Sequence, residues 1–166
     1  MKQPRLQFDH PTQTSASMFL QAVATGDAAT VWAGLSRETR GLLEGLYAGH
    51  AGLALHRAAG VGETDGDARL VEIVAPLRGS VLGALGGPLK ISAYGVSGAR
   101  LLDRNTAYVL LLPEFGDERV VSEAEWQPSH LLAFVHESRE WLVDLGRTSE
   151  LSADAELPDL LGAIRR

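Results

Sequence analysis

Five histidines, at positions 10, 50, 56, 130 and 136, are the side chains best suited to chemistry near neutral pH, where imidazole can act as base or ligand. Their spacing argues against a shared metal. His130 and His136, six residues apart in an extended segment, share a face but stand about 20 Å apart at 3.3 Å per residue. His50 and His56 are turned by roughly 240° on a helix of 3.6 residues per turn, and no His-Glu-x-x-His occurs. Neither a metal site nor a cofactor is expected. His50 falls four residues after Leu46 and four before Ala54 on an apolar stripe, so it is a candidate pocket base; a hydrogen-bonded core or boundary histidine is the competing reading. His130, after Pro128-Ser129 at the start of an apolar strand, has the same standing. Asp144, which interrupts the apolar run 141–145, is the third candidate base, against the alternative of a solvated strand face. Asp27, directly after Gly26, reads as a helix cap. Glu114 has the strand parity of Tyr108, and Tyr94 lies in the neighbouring strand, so the three are candidates for a shared wall.

Other motifs fail on spacing. Gly95-Val96-Ser97-Gly98 has its second glycine one place too early for a nucleophile elbow and lies inside a strand rather than at a strand-to-helix turn. The glycines at 60, 62 and 66 miss the dinucleotide spacing by one residue, and the acids among them would repel phosphate. The chain has no cysteine, which removes disulfides, thiolate nucleophiles and iron–sulfur ligation together. With 21 acidic against 15 basic residues and arginines scattered along the chain, the positive footprint that binds phosphate backbones is missing, so no nucleic acid is expected. No apolar run approaches the roughly 20 residues of a membrane span, and the start has no apolar leader core, so a cytoplasmic protein without membrane attachment is expected.

The elements that must position these residues follow from periodicity. At 166 residues the chain is the size of one domain: a loose segment at 1–11, a domain at 12–146 and a tail at 147–166. Met18, Phe19, Ala22 and Val23 recur at helical spacing up to Gly26; Asp27 then opens a second helix bearing Val31, Trp32 and Leu35. Ser36 opens a third, in which the glycines at 41, 45, 49 and 52 either weaken the helix or permit close packing. Residues 60–67 read as an acidic, glycine-rich loop. Leu70, Ile73, Val74, Leu77, Val81 and Leu85 predict a helix over 68–85, kinked at Pro76, with a short strand at 70–75 as the rival. Extended segments follow at 90–100, 106–114, 119–136 (broken near Pro128) and 141–145, and Leu160, Leu161 and Ile164 predict a short closing helix. The expected fold is α+β, with N-terminal helices packed on a curved antiparallel sheet of about four strands and a short C-terminal helix.

In this order, Phe19-Leu20 before Gly26-Asp27, Val31-Trp32, Leu35-Ser36, Ala107-Tyr108-Val109 and Trp141-Leu142-Val143-Asp144 resemble the nuclear transport factor 2-like superfamily, the cystatin-like α+β cone, over about 12–146. The resemblance implies a conical pocket between sheet and helices. Some relatives use it as isomerases, dehydratases or hydrolases on apolar molecules, and many others use it to bind a ligand or a protein.

Alternation along 107–112 and 131–135 makes both sheet faces apolar, so each needs a cover: helices on the concave side, and a second copy of the chain or the closing helix on the convex side. A homodimer through the sheet is the favoured expectation. Trp32, Tyr47, Tyr94 and Tyr108 are the expected pocket lining, with core packing as the alternative. The expectation is a non-catalytic domain binding an apolar small molecule or a protein partner. The alternative is an isomerase, dehydratase or hydrolase using His50, His130 or Asp144 as base.

Overall fold

A computed structural model describes residues 3–52, 54, 68–113 and 127–165. His56, the 60–67 loop, Glu114 and the 119–126 part of the expected third strand lie outside them. In chain order the elements are β1 (Arg5–Gln7), α1 (Pro11–Thr25), α2 (Ala28–Ala33), α3 (Arg37–Ala51), α4 (Ala68–Leu85), α5 (Pro88–Ile91), β2 (Gly95–Val96), β3 (Ala99–Leu101), β4 (Thr106–Leu112), β5 (His130–Glu137), β6 (Glu140–Val143) and α6 (Leu145–Asp154), followed by a 3-10 turn, Gly162–Arg165. Among the described residues, no helix is long and apolar enough to cross a membrane.

The fold is α+β, with helices packed against an antiparallel sheet. Its order is β1-β3-β4-β5-β6, with β2 also paired to β4, giving six strands among the described residues where about four were expected. Two differences account for the count. The expected loose start supplies β1, whose Arg5, Leu6 and Gln7 pair with Leu101, Arg100 and Ala99. The expected strand 90–100 begins instead as the helical turn α5, with Pro at its start, and is then divided at Ser97-Gly98. Between β2 and β3 the register against β4 slips by one residue, the signature of a bulge. The Ser97 hydroxyl satisfies the displaced ladder by accepting from the Leu110 N–H at 2.8 Å. Gly98 lies close under the Leu6 and Phe8 side chains: a Cβ there would stand 3.1 Å from both, so these two exposed side chains would have to give way slightly.

The helix boundaries are local chemistry. His10 caps α1, and Gly26 ends it at φ 76, a left-handed conformation that glycine adopts without a steric penalty. Asp27 caps α2 and Ser36 caps α3. Pro76 lies within α4 on its exposed side, while every predicted apolar position of that helix is buried. Among the described residues, a Cβ at Gly41, Gly45 or Gly49 would meet nothing within 4 Å, so these glycines serve no close packing with the described helices.

Val109, Leu111, Leu132, Phe134 and Val143 of the sheet join Phe19, Val23, Leu35, Leu43, Leu77 and Val81 of the helical layer in one core. Among the described residues, side chains occupy the centre of the space between sheet and helices, where Phe134, Leu111, Leu35 and Leu77 are fully buried, and a hollow of about 380 Å³ bordered by Leu20, Ile91, Tyr94 and Val96 is left at its edge. Leu160, Leu161 and Ile164 belong to this same core, and the Ser80 hydroxyl donates to the Leu160 carbonyl at 3.0 Å. The closing segment thus packs with α4 on the helix side and does not cover the convex face. On that face Leu131 and Ala133 are buried, and Tyr108, Leu110 and Leu112 are half-buried.

Candidate functional site

Three elements converge beside the outer end of the β5–β6 hairpin. Residues 34–36 run alongside β6 through a parallel bridge from Leu35 to Val143: Ser36 N–H donates to the Val143 carbonyl and Val143 N–H to the Gly34 carbonyl, both at 2.8 Å. This fixes α2 against the hairpin, and α1 crosses beside both. Between them lies an open cleft of about 520 Å³. Its lining is largely apolar, from Pro11, Met18, Phe19, Ala33, Trp141 and Leu142, with Ser15, Thr30, His136, Arg139 and Glu140 as polar neighbours. Met18 is 57% exposed, unusual for a thioether on a helix that otherwise buries its apolar side.

The rim is aromatic. In the hairpin register His136 pairs with Trp141, and Glu137 with Glu140. Their rings are 5.0 Å apart, and the His10 ring meets Trp141 edge-on at 4.9 Å. His10 is committed to the helix start: its Nδ1 accepts from the Thr12 N–H at 3.3 Å and lies 2.9 Å from the Thr12 hydroxyl. That assigns the ring proton to Nε2. Burial, with the His136 charge as a second cause, holds the His10 imidazole below its ordinary value of 6.5. His136 and Trp141 share one face of the hairpin while Glu140 belongs to the other. Both His136 and Glu140 border the cleft, and no hydrogen bond joins the imidazole to the carboxylate among the described residues.

The three candidate bases lie elsewhere. His50 is exposed in the last turn of α3 and lines no part of this cleft. His130 is buried, its Nδ1 2.9 Å from the Ser129 hydroxyl. Burial lowers its proton affinity, and the Asp159 carboxylate opposes this. Asp144 is neither a strand-face residue nor a base facing a cavity: it is the N-cap of α6, 3% exposed. Its Oδ1 accepts from the Arg147 N–H at 2.8 Å and its Oδ2 from the Ser36 hydroxyl at 2.7 Å. Leu145 N–H donates to Thr39 Oγ1 at 2.9 Å, and the Thr39 and Ser36 hydroxyls are also 2.9 Å apart. The carboxylate takes the single Ser36 proton, so the proton between the two hydroxyls is that of Thr39. Every lone pair that matters here serves structure.

The expected lining residues do not converge either. Trp32 is buried beneath Arg40, whose guanidinium carbon lies 5.7 Å from the ring centroid and whose Nε donates to the Trp32 carbonyl. Tyr47 and Tyr94 are half-buried against the helix-side core, whereas Tyr108 belongs to the opposite face with Arg100 and Ala133. Tyr94 and Tyr108 therefore share no wall. The residues that do form the cleft carried one readable signal: a two-residue turn at 138–139 places His136 opposite Trp141. The approach of His10 and Met18 is tertiary and has no local signature.

Among the described residues no group of three or more His, Asp or Glu side chains is arranged to hold a metal. Set against protein-family models, curated proteins and solved structures, the chain matches none.

Proposed function

We propose that the chain is a non-catalytic binding domain of the nuclear transport factor 2-like kind, which takes a small apolar molecule in the cleft between α1, α2 and the β5–β6 hairpin. The observation that carries this reading is the cleft itself: about 520 Å³, apolar in its lining, with an exposed methionine and a tryptophan at its mouth. That volume falls within the roughly 300–1,000 Å³ usual for small-molecule sites. An occupied centre moves the ligand out of the cone to this surface. The family resemblance rests on the sequence motifs between 12 and 146, and nothing in this reading requires a second copy of the chain. A ligand here gains from contact with Met18, Phe19 and Trp141, and no hydrogen-bonded imidazole–carboxylate pair stands in the cleft among the described residues.

The test is a titration with 2-naphthol, a neutral aromatic probe, followed by NMR at the Met18 methyl and the Trp141 indole N–H. Saturable shifts at both signals are expected. Ala33→Phe, at an exposed cleft position, should abolish them without disturbing the core. No shift at either signal in the unaltered protein, or shifts unaffected by Ala33→Phe, would sink the proposal.

A further inference from the structure

We infer that the cleft selects, among apolar molecules, those that carry a carboxylate, and that Arg139 is the residue that reads it. This rests on the cleft being the binding site and names the class of ligand it takes. Arg139 stands at the tip of the β5–β6 hairpin and, among the described residues, is the only arginine that borders the cleft. The guanidinium groups of Arg40, Arg78, Arg100 and Arg147 are each held by hydrogen bonds to backbone or side-chain oxygens. That of Arg139 has no hydrogen bond or ion pair among the described residues. It is therefore a rigid fork of donors left open beside an apolar surface, the geometry that carboxylates accept in a bidentate manner.

The backbone at this tip points the same way. Ser138 has φ 50 and Arg139 φ 71. A two-residue hairpin turn with both angles positive is the mirror-image turn that Asn-Gly fills with least strain. Ser-Arg fills it at a conformational cost, and a side chain kept where glycine would fit better is an observation that a role at the cleft explains.

Two acids stand near the fork, and Glu140 borders the same cleft, yet neither makes an ion pair with Arg139. Glu137 accepts from the Arg37 N–H at 3.1 Å. Glu140 belongs to the opposite face of the hairpin from Trp141, and it also borders the neighbouring hollow where Arg37 and Arg40 lie. Trp141, Met18 and Arg139 border one cleft, so the ring and the carboxylate of a single ligand have separate partners there.

Three probes with one ring system and three charges test this: 1-naphthaleneacetate, 1-naphthaleneacetamide and 1-naphthylmethylammonium, each titrated against the Met18 and Trp141 signals. The carboxylate is expected to bind about tenfold more tightly than the amide, the size of a charge-assisted bond, and more tightly still than the ammonium. Arg139→Gly should remove that preference while leaving amide binding in place. It suits the positive φ, so the variant should melt no lower than the parent; Arg139→Gln, with the original backbone demand, is the second variant. Equal binding of carboxylate and amide, a preference for the ammonium, or a preference surviving in both variants overturns the assignment to Arg139 and leaves the cleft standing. If none of the three probes shifts the cleft signals, the carboxylate and the cleft fall together.

Discussion

Burial holds the His130 imidazole below its ordinary value of 6.5, and the Asp159 carboxylate pulls weakly in the other direction. In the unfolded chain the same group titrates near 6.5. Above that value neither state binds the proton, and His130 contributes no pH dependence. As pH falls below 6.5 the unfolded chain takes up the proton first, so stability declines until the pH reaches the lowered folded value, where the effect levels off. His10 adds a contribution of the same sign, because burial, and after it the His136 charge, lowers its folded value as well. Urea unfolding at pH 7.5 and 5.5 should therefore show lower stability at 5.5, and His130→Gln should remove part of that difference. An unchanged difference would mean that the burial of His130 is not felt as a proton penalty. At this scale the sequence was partly legible. The separation of His130 and His136 along one strand was readable, since spacing within one element is fixed geometry. What His10 does was not readable, because its neighbour Trp141 arrives from the far end of the chain.

Caps decide where the helices begin and end, and two glycines that look alike in sequence have opposite roles. Gly26 holds φ 76 at the end of α1, and a Cβ there would meet only the Arg78 guanidinium at ordinary contact distance. The penalty for Gly26→Ala is thus conformational, and a loss of about 1–2 kcal/mol is expected. Gly45 lies on the exposed side of α3 with open space around its Cβ position. Gly45→Ala should stabilise the protein by about 0.5–1 kcal/mol. Chemical denaturation of both variants checks the pair, and a stabilised Gly26→Ala would contradict the left-handed cap. The Gly26-Asp27 boundary, the Ser36 start and the apolar face of α4 were legible because each is determined within a turn or two. β1 was not: its three exposed residues carry no apolar period and become a strand only by pairing with β3. α6 was missed for a different reason. Asp144 ends an apolar strand and opens a helix at the same residue, and the strand pattern masked the cap.

The helical layer and the sheet are joined at the level of the whole molecule by a few long-range polar ties. α6 lies along the part of β5 beyond β6, where Ala133 N–H donates to the Thr148 hydroxyl and the Ala133 carbonyl accepts from Asp144 N–H, both at 3.0 Å. This seals a strand edge that would otherwise present free backbone groups. The same Asp144 links the start of α6 to the start of α3, so its removal strips two caps of one partner each. Asp144→Ala should lower stability by about 1–3 kcal/mol, measured by thermal or urea unfolding; a neutral effect would mean that the network contributes little. The α+β layout was legible at this scale because helical and extended periods occupy separate stretches of the chain. The filling of the cone's centre was not, since it depends on which side chains meet across the layers.

The bond between Ser36 and Asp144 spans 108 residues. Chain entropy opposes closing so long a loop until most of the intervening structure has formed, which gives the tie a place in time as well as in space. It is expected to form on the downhill side of the folding barrier. The stability lost in Asp144→Ala should then appear almost wholly as faster unfolding, with the refolding arm of the chevron hardly moved. The contact that joins the two layers is a latch set at the end of folding, and its strength governs how long the native state lasts rather than how quickly it is reached.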